Sequence, residues 1–302
     1  MFNKTLLLNK VINTLQKNEF EVFTTHGCFD VVARKKRLLL IKALFNIDAL
    51  NEDHALSLRV ISHFVSAYPF VVSIKNNREF LDNETIYSRF ELPVLTPQLL
   101  DEVVTEEEIL TVQSAKGKHT VEIDTSMLKE RRKELNYTLE ELSQLVNISK
   151  KALYEIENKR VNPQLETVKI LERTLGTRLR LPFEFKTVSA TYIKPKNEFQ
   201  AKVSKEFNRI GIDNSSVCSA NFEIVGKEKF SLITGLPQNN IKIKKDAQTI
   251  KKLSDIFSSI AVFITKKSAE KSVEGIPIVL ESELPEINSS KELSKVIEEK
   301  QG

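Results

Sequence analysis

Glycine is scarce in this 302-residue chain: there are eight, at positions 27, 117, 176, 211, 226, 235, 275 and 302. Those positions draw neither G-x-G-x-x-G nor G-x-x-x-x-G-K-[ST], which excludes dinucleotide and P-loop nucleotide sites of the familiar kinds. The four histidines (His26, His54, His63, His119) form no H-E-x-x-H, so a zinc peptidase of that type is excluded as well. Two cysteines, Cys28 and Cys218, are too few for a disulfide framework, and a reduced, cytoplasmic protein is expected. No apolar run approaches the roughly 18 residues of a membrane helix. The longest lie near Leu38–Ile41 and Tyr68–Ile74. The start, Met1 to Lys4 and then Leu6-Leu7-Leu8, lacks the apolar core and small-residue cleavage site of a secretory signal.

What is present is ordinary for a globular protein: 41% hydrophobic and 28% charged residues, enough to bury a core. At about 150 residues per domain the length predicts two or three domains. The net charge of +4 is unevenly spread: −3 over residues 1–125, +3 over 126–185 and +4 over 186–302. This balance allows nucleic-acid binding without demanding it.

Hydrophobic spacing predicts a helix over 5–18, with Leu7, Val11 and Leu15 on one face, and another over 52–66, with Ala55, Leu58, Ile61 and Val65. Between and after them come strands at 20–23, 29–33, 38–43 and 70–74, then a short strand at Leu92–Leu95 and a helix at 97–104. Helices alternating with strands predict an α/β domain with a mixed sheet over 1–108. Residues 109–125 read as a β-hairpin connector, 126–182 as all-helical, and 183–302 as α/β again.

The last segment reads as a diverged repeat of the first. Phe29-Asp30-Val31-Val32-Ala33-Arg34 parallels Phe222-Glu223-Ile224-Val225-Gly226-Lys227, and Leu40-Ile41-Lys42 parallels Leu232-Ile233-Thr234 with a one-residue shift. Helices at 199–209 and 246–258 take the places of those at 5–18 and 52–66, and Ile276-Pro277-Ile278 that of Leu92-Pro93-Val94. The tail, 289–302, is charged, with no evident role.

The middle segment is the most informative. Met127–Asn136 predicts a helix with Leu128 and Leu135 inward. Thr138-Leu139-Glu140-Glu141 is a capping box that starts the next helix. Asn147 tolerates the left-handed turn that follows, and Ser149 caps a third helix, Lys150–Asn158, with Leu153 and Ile156 inward. Asn162-Pro163 opens a fourth, with Leu165, Val168, Leu171 and Leu175 on one face, and Gly176 ends it. Two short helices joined by a tight turn, supported before and after, are what a helix-turn-helix DNA reader requires.

Residues 128–181 resemble the Cro/lambda-repressor family of helix-turn-helix domains, from Leu128-Lys129-Glu130-Arg131-Arg132 through Thr138, Ser149 and Glu157 to Pro163. The whole layout, with α/β domains on either side, resembles a family of archaeal transcriptional regulators. The resemblance implies a recognition helix over 150–158 with Lys150, Lys151, Tyr154 and Glu155 outward, Lys151 toward guanine O6 or N7 and Glu155 toward cytosine N4. It places Asn158, Lys159 and Arg160 at a phosphate-contacting turn and Thr138 at a helix N-terminus that points amides at another phosphate, and it counts Ser149, the cap of the recognition helix, among the DNA-binding residues. Arg132 and Glu157 match a family ion pair, a structural role. Leu139 replaces a polar phosphate contact, Ser143 an alanine and Asn147 a turn glycine.

Residues 20–75 also resemble the strand order of restriction-endonuclease-like nucleases, where an Asp on one strand and an acidic-x-Lys triplet on the next hold Mg²⁺ and orient water. Here Asp30 is present but the triplet is Leu40-Ile41-Lys42, and the second copy has Glu223 with Leu232-Ile233-Thr234. Both domains therefore read as degenerate nuclease folds without a metal. His26-Gly27-Cys28 lacks the further ligands of a metal site. The lysines at 194, 196, 242, 244 and 245 read as a solvated basic surface.

The expected function is sequence-specific binding of double-stranded DNA by a cytoplasmic regulator, with no cofactor and no catalysis. It would act either as a homodimer on half-sites one helical turn apart or with pseudo-symmetry inside one chain. The alternatives are a nuclease guided by the helix-turn-helix, with Glu21 or Asp48 completing the centre, and an antitoxin-like protein-interaction module.

Overall fold

A computed structural model describes residues 4–83, 85–105, 112–113, 122–180, 185, 187–189, 191–238 and 240–301. Along the chain run α1 (Lys4–Lys17), β1 (Glu21–Thr24), β2 (Val31–Arg34), β3 (Leu38–Asn46), α2 (Glu52–Phe64), β4 (Tyr68–Lys75), β5 (Thr85–Arg89), β6 (Leu92–Leu95), α3 (Pro97–Thr105) and β7 (Val112–Gln113). Then come α4 (Thr125–Glu134), α5 (Leu139–Leu145), α6 (Lys150–Glu157) and α7 (Leu165–Leu175). The chain closes with α8 (Glu198–Arg209), β8 (Asp213–Ser216), β9 (Ile224–Lys227), β10 (Ser231–Gly235), α9 (Asn240–Phe257), β11 (Ile260–Thr265), β12 (Ser272–Val273), β13 (Ile276–Leu280) and α10 (Ser290–Gln301). They group into two compact units: residues 1–72 with 186–302, and residues 73–185.

The first unit holds two α/β motifs of the same element order, α1-β1-β2-β3-α2-β4 and α8-β8-β9-β10-α9-β11. Leu7, Val11 and Leu15 form the wholly buried stripe of α1 that the helical period predicts, each side chain contributing about 1.5–3 kcal/mol by leaving water. In α2 the face is Ala55, Leu58 and Ile61, and Asn51 caps the helix by accepting from His54 N–H. Strands β1, β2 and β3 are antiparallel, with β4 next to β3. The second sheet runs β12-β13-β11-β10-β9-β8, with β11 parallel to both β10 and β13. Its core is built on Val203, Phe207, Ile224, Leu232, Val262, Ile264 and Val279.

The register corrects the alignment of the two motifs. Val31 pairs with Ile41 and Arg34 with Leu38, just as Ile224 pairs with Thr234 and Lys227 with Ser231. The intervening turns have equal length, so the one-residue shift disappears. The counterpart of Lys42 is Gly235, and the second triplet is Ile233-Thr234-Gly235. The helix expected at 246–258 begins earlier, at Asn240. The charged tail packs: Leu293 and Ile297 of α10 are buried, and Lys300 Nζ donates to Glu283 Oε2 at 2.7 Å.

In the second unit β5 pairs antiparallel with β6 and parallel with β7. Strand β5 has no counterpart among the expected strands, because its Thr-Ile-Tyr-Ser-Arg has no clean alternation. Most of the hairpin expected at 109–125 lies outside the described residues. Its two described parts pair elsewhere, Val112–Gln113 with β5 and Ile123 in a bridge with Arg180. Helices α4 to α7 enclose a core of Leu128, Leu142, Val146, Leu153, Ile156, Val168, Leu171 and Leu175. Leu135, expected inward, is instead exposed, because α4 ends at Glu134 and Asn136 turns left-handed (φ 59°). Pro163 precedes α7 rather than opening it; Gln164 is the N-cap.

Candidate nucleic-acid interface and the nuclease-like centres

Helices α5 and α6 owe their ends to local side chains. Thr138 Oγ1 accepts from Glu141 N–H at 3.1 Å, and Glu141 Oε2 accepts from Thr138 N–H at 2.7 Å. The bond from the Thr138 backbone holds the Glu141 carboxyl below the usual carboxylate range. The N-terminus of α5 is thus already covered by a carboxylate. At the other end Asn147 is left-handed (φ 56°) and Ile148 N–H reaches back to Ser143 O at 3.0 Å, which makes the tight turn. Ser149 Oγ then accepts from Ala152 N–H at 3.0 Å and starts α6.

Leu153 and Ile156 pin α6 to the core, so the opposite face is presented outward. Lys150, Lys151 and Tyr154 lie exposed on it, and Glu155 is half-buried. Lys150 Nζ lies 3.2 Å from Glu140 Oε2 on α5. The inner face carries an ion pair: Arg132 Nε donates to Glu157 Oε1 at 2.6 Å and Arg132 Nη2 to Glu157 Oε2 at 3.1 Å, with Glu157 buried. Arg132 Nη1 also donates to Tyr137 O at 2.9 Å. This fork ties α4 to α6 and to the approach to α5.

Beyond α6, Lys159 takes a left-handed conformation (φ 58°) and Arg160 N–H bonds Glu155 O at 3.0 Å. Asn158 is committed internally: its Nδ2 donates to Tyr154 O at 2.7 Å and its Oδ1 accepts from Lys129 Nζ at 3.2 Å. Leu139 is partly buried against the core and offers no polar group to a phosphate. The outward residues are therefore Lys150, Lys151, Tyr154, Glu155, Lys159 and Arg160. Thr138, Ser149 and Asn158 act as caps. The partners Glu140 and Lys129 escape sequence reasoning, because each sits on a different helix from the residue it meets.

The nuclease-like positions have a different chemistry. Asp30 is 2% exposed and its Oδ2 accepts from Ala43 N–H at 2.9 Å. Lys42 Nζ lies 3.2 Å from Oδ2 and also donates to Gly27 O at 2.6 Å, while Lys4 Nζ sits 3.0 Å from Oδ1. Leu40, at the second-carboxylate position, is wholly buried. In the C-terminal motif Glu223 Oε2 accepts from Leu236 N–H at 2.6 Å, and Lys242 of α9 donates to Oε1 at 2.6 Å. Ala43 and Leu236 correspond, so the strand clamps the carboxylate alike in both.

A hard divalent cation takes six or more oxygen ligands. Here one carboxylate faces two ammonium groups, and among the described residues no group of three His, Cys, Asp or Glu comes together. The donor set does not fit Mg²⁺. Neither Glu21 nor Asp48 joins Asp30 in such a group. Burial pushes the Cys28 thiol up to about 12, which opposes its use as a thiolate ligand. Gly27 has its own reason: at φ 135° its Cα faces Ser219 O, where a Cβ would sit 1.9 Å from that oxygen.

This arrangement defines the class. Residues 128–181 match the helix-turn-helix family, with Cro-type order and spacing, and residues 4–110 match the PD-(D/E)XK superfamily domain. The chain is 32% identical to a "Putative HTH-type transcriptional regulatory protein" of Methanothermobacter thermautotrophicus, over 97% of this chain and 96% of that one. Relatives of the same name in Methanobrevibacter smithii (28%, covering 99% of each chain) and Archaeoglobus fulgidus (27%, covering 97% of each) align equally fully. The chain belongs to this family of HTH-type transcriptional regulatory proteins. No solved structure matches it. Among the described residues no helix is long and apolar enough to cross a membrane.

Proposed function

We propose that the chain is a transcriptional regulator that binds double-stranded DNA sequence-specifically, with α6 in the major groove. The observation that carries this reading is the outward set Lys150, Lys151, Tyr154 and Glu155 on a helix whose opposite face is fixed by Leu153, Ile156 and the Arg132–Glu157 fork. Lysine donates to guanine O6 and N7, and a carboxylate accepts from cytosine N4. Lys159, just past the helix, faces a phosphate.

The nuclease-like motifs serve as scaffold, and the protein is not an enzyme. Buried Leu40 replaces the second carboxylate, and Lys4 pairs with the first, Asp30, beside the triplet lysine Lys42. Mg²⁺ should therefore leave both the melting temperature and plasmid DNA unchanged.

The test is selection of bound duplex from random sequence at near-physiological salt, with wild type against Lys150→Ala/Lys151→Ala. An enriched motif lost in the double variant supports the reading. A palindrome with half-sites one turn apart means a homodimer, and a single half-site means one chain. Equal, unenriched binding by both proteins contradicts it.

A further inference from the structure

Arg160 and Glu155 form a unit at the end of α6. The helix closes with Lys159 in the left-handed region, and Arg160 N–H returns to Glu155 O at 3.0 Å. That backbone path fixes where the Arg160 side chain starts. Its Nη1 then donates to Glu155 Oε1 at 3.2 Å, and its guanidinium lies over the Tyr154 ring at 5.6 Å from the centroid. Arg160 is 60% exposed and Glu155 24%. An exposed pair of this kind adds little to folding, so its consequence lies in what the outward face presents.

A lone carboxylate on a helix facing a polyanion repels the phosphates and points freely. Paired with a guanidinium it is neutralised and held, with Oε1 taken and Oε2 left to accept from a base edge. Resting on the DNA-binding reading above, we propose that Arg160 is the positioning residue for Glu155 rather than a phosphate contact, and that the pair reads one cytosine N4. Tyr154 supplies the flat surface that keeps the guanidinium in place.

The two roles of Arg160 separate by experiment. Anisotropy titrations use the selected duplex and three substitutions at each position, over a range of salt, with wild type, Glu155→Ala, Arg160→Ala, Arg160→Lys and the Ala/Ala double variant. Wild type should prefer cytosine at one position by about tenfold or more, the range a specific base contact gives. Glu155→Ala and Arg160→Ala should each flatten that one preference, and the double variant should flatten it no further. Arg160→Lys should keep the charge but recover little of the preference, because an ammonium lacks the flat guanidinium that rests on Tyr154 and so does not hold the carboxylate in one place. The double variant should also bind more tightly than Arg160→Ala alone, since no uncompensated carboxylate remains.

If Arg160→Ala instead weakens every sequence alike, keeps the preference and lowers the salt slope by about one, Arg160 is a phosphate contact and the proposal is overturned. If Glu155→Ala leaves every preference of a sequence-reading wild type intact, the pair is no reader and only this proposal fails. A wild type without any preference sinks the DNA-reading function itself, and the pair with it. Circular dichroism of each variant confirms that the helices are retained; both residues lie outside the core.

Discussion

Arg34 and Lys227 occupy the same point of the two α/β motifs, and each reaches the C-terminal end of the other motif's helix. Arg34 Nε donates to Ile256 O at the end of α9, and Lys227 Nζ donates to Ser66 Oγ, two residues past α2, at 2.8 Å. Phe29 meets Phe257 across the same junction, with ring centroids 6.4 Å apart, and Ser231 Oγ donates to Phe64 O at 2.8 Å. A cation at a helix C-terminus also complements the dipole there. The motifs thus pair inside one chain by a near-symmetric exchange of contacts.

That exchange is unequal in depth. Arg34 is part-buried at its bond, and Lys227 is exposed at its own. Arg34→Ala should destabilise the chain by about 1.5–3 kcal/mol, the worth of a bond to a charged group. Lys227→Ala should cost about 0–1 kcal/mol. Urea unfolding of the two variants against wild type measures the difference.

Gly27→Ala should be more damaging than either. Its φ of 135° and the Ser219 oxygen 1.9 Å from the would-be Cβ leave no position for a methyl group without moving the backbone. Strain of this kind costs about 1–3 kcal/mol before the clash is counted. Gly226→Ala meets the buried Ile212 Cγ2 at 2.9 Å and Asp213 O at 3.2 Å, both well beyond 1.9 Å, and an ordinary φ, so it should cost less. Thermal melts of both proteins rank them.

Arg132→Ala removes the partner of a buried carboxylate. Breaking such a pair costs about 3–5 kcal/mol. The side chains are 13% and 4% exposed, which keeps the loss near the lower end. Arg132→Met with Glu157→Leu should recover most of it, because both charges then go. Urea unfolding of wild type and these two variants measures the loss and its recovery.

Stability should also depend on acid through Glu172. Burial alone would raise its carboxyl, but N–H bonds from Leu179 and Arg180 and the Arg180 guanidinium outweigh this and hold it below the usual range. A depressed carboxyl stabilises the fold above its unfolded value, about 4.3 for Glu, and that contribution is lost as pH falls through the folded value. The urea midpoint of wild type should therefore exceed that of Glu172→Gln at pH 7, and the gap should shrink below about pH 4.

Much of this was legible in the sequence. The Thr138 capping box, the Ser149 cap and the left-handed Asn147 are local chemistry, and local chemistry is written in adjacent residues. Leu7, Val11 and Leu15 are equally plain, because one helical face meets one core. Leu135 misleads: its spacing continues the face of α4, but the helix stops before it. The clamp on Asp30 by Lys4, and on Glu223 by Lys242, was hidden, since tertiary packing brings these lysines in from other helices. The motif alignment failed by one residue because Leu-Ile runs look alike in any register, and only strand pairing distinguishes them.

Methylation interference on a selected duplex tests the central claim most directly. Guanine N7 lies in the major groove and adenine N3 in the minor groove. With α6 in the major groove, methylation at guanine N7 within the site should block wild-type binding, and Lys151→Ala should erase that interference at one guanine. Interference confined to adenine N3, or a pattern unchanged by Lys151→Ala, would contradict the placement of α6.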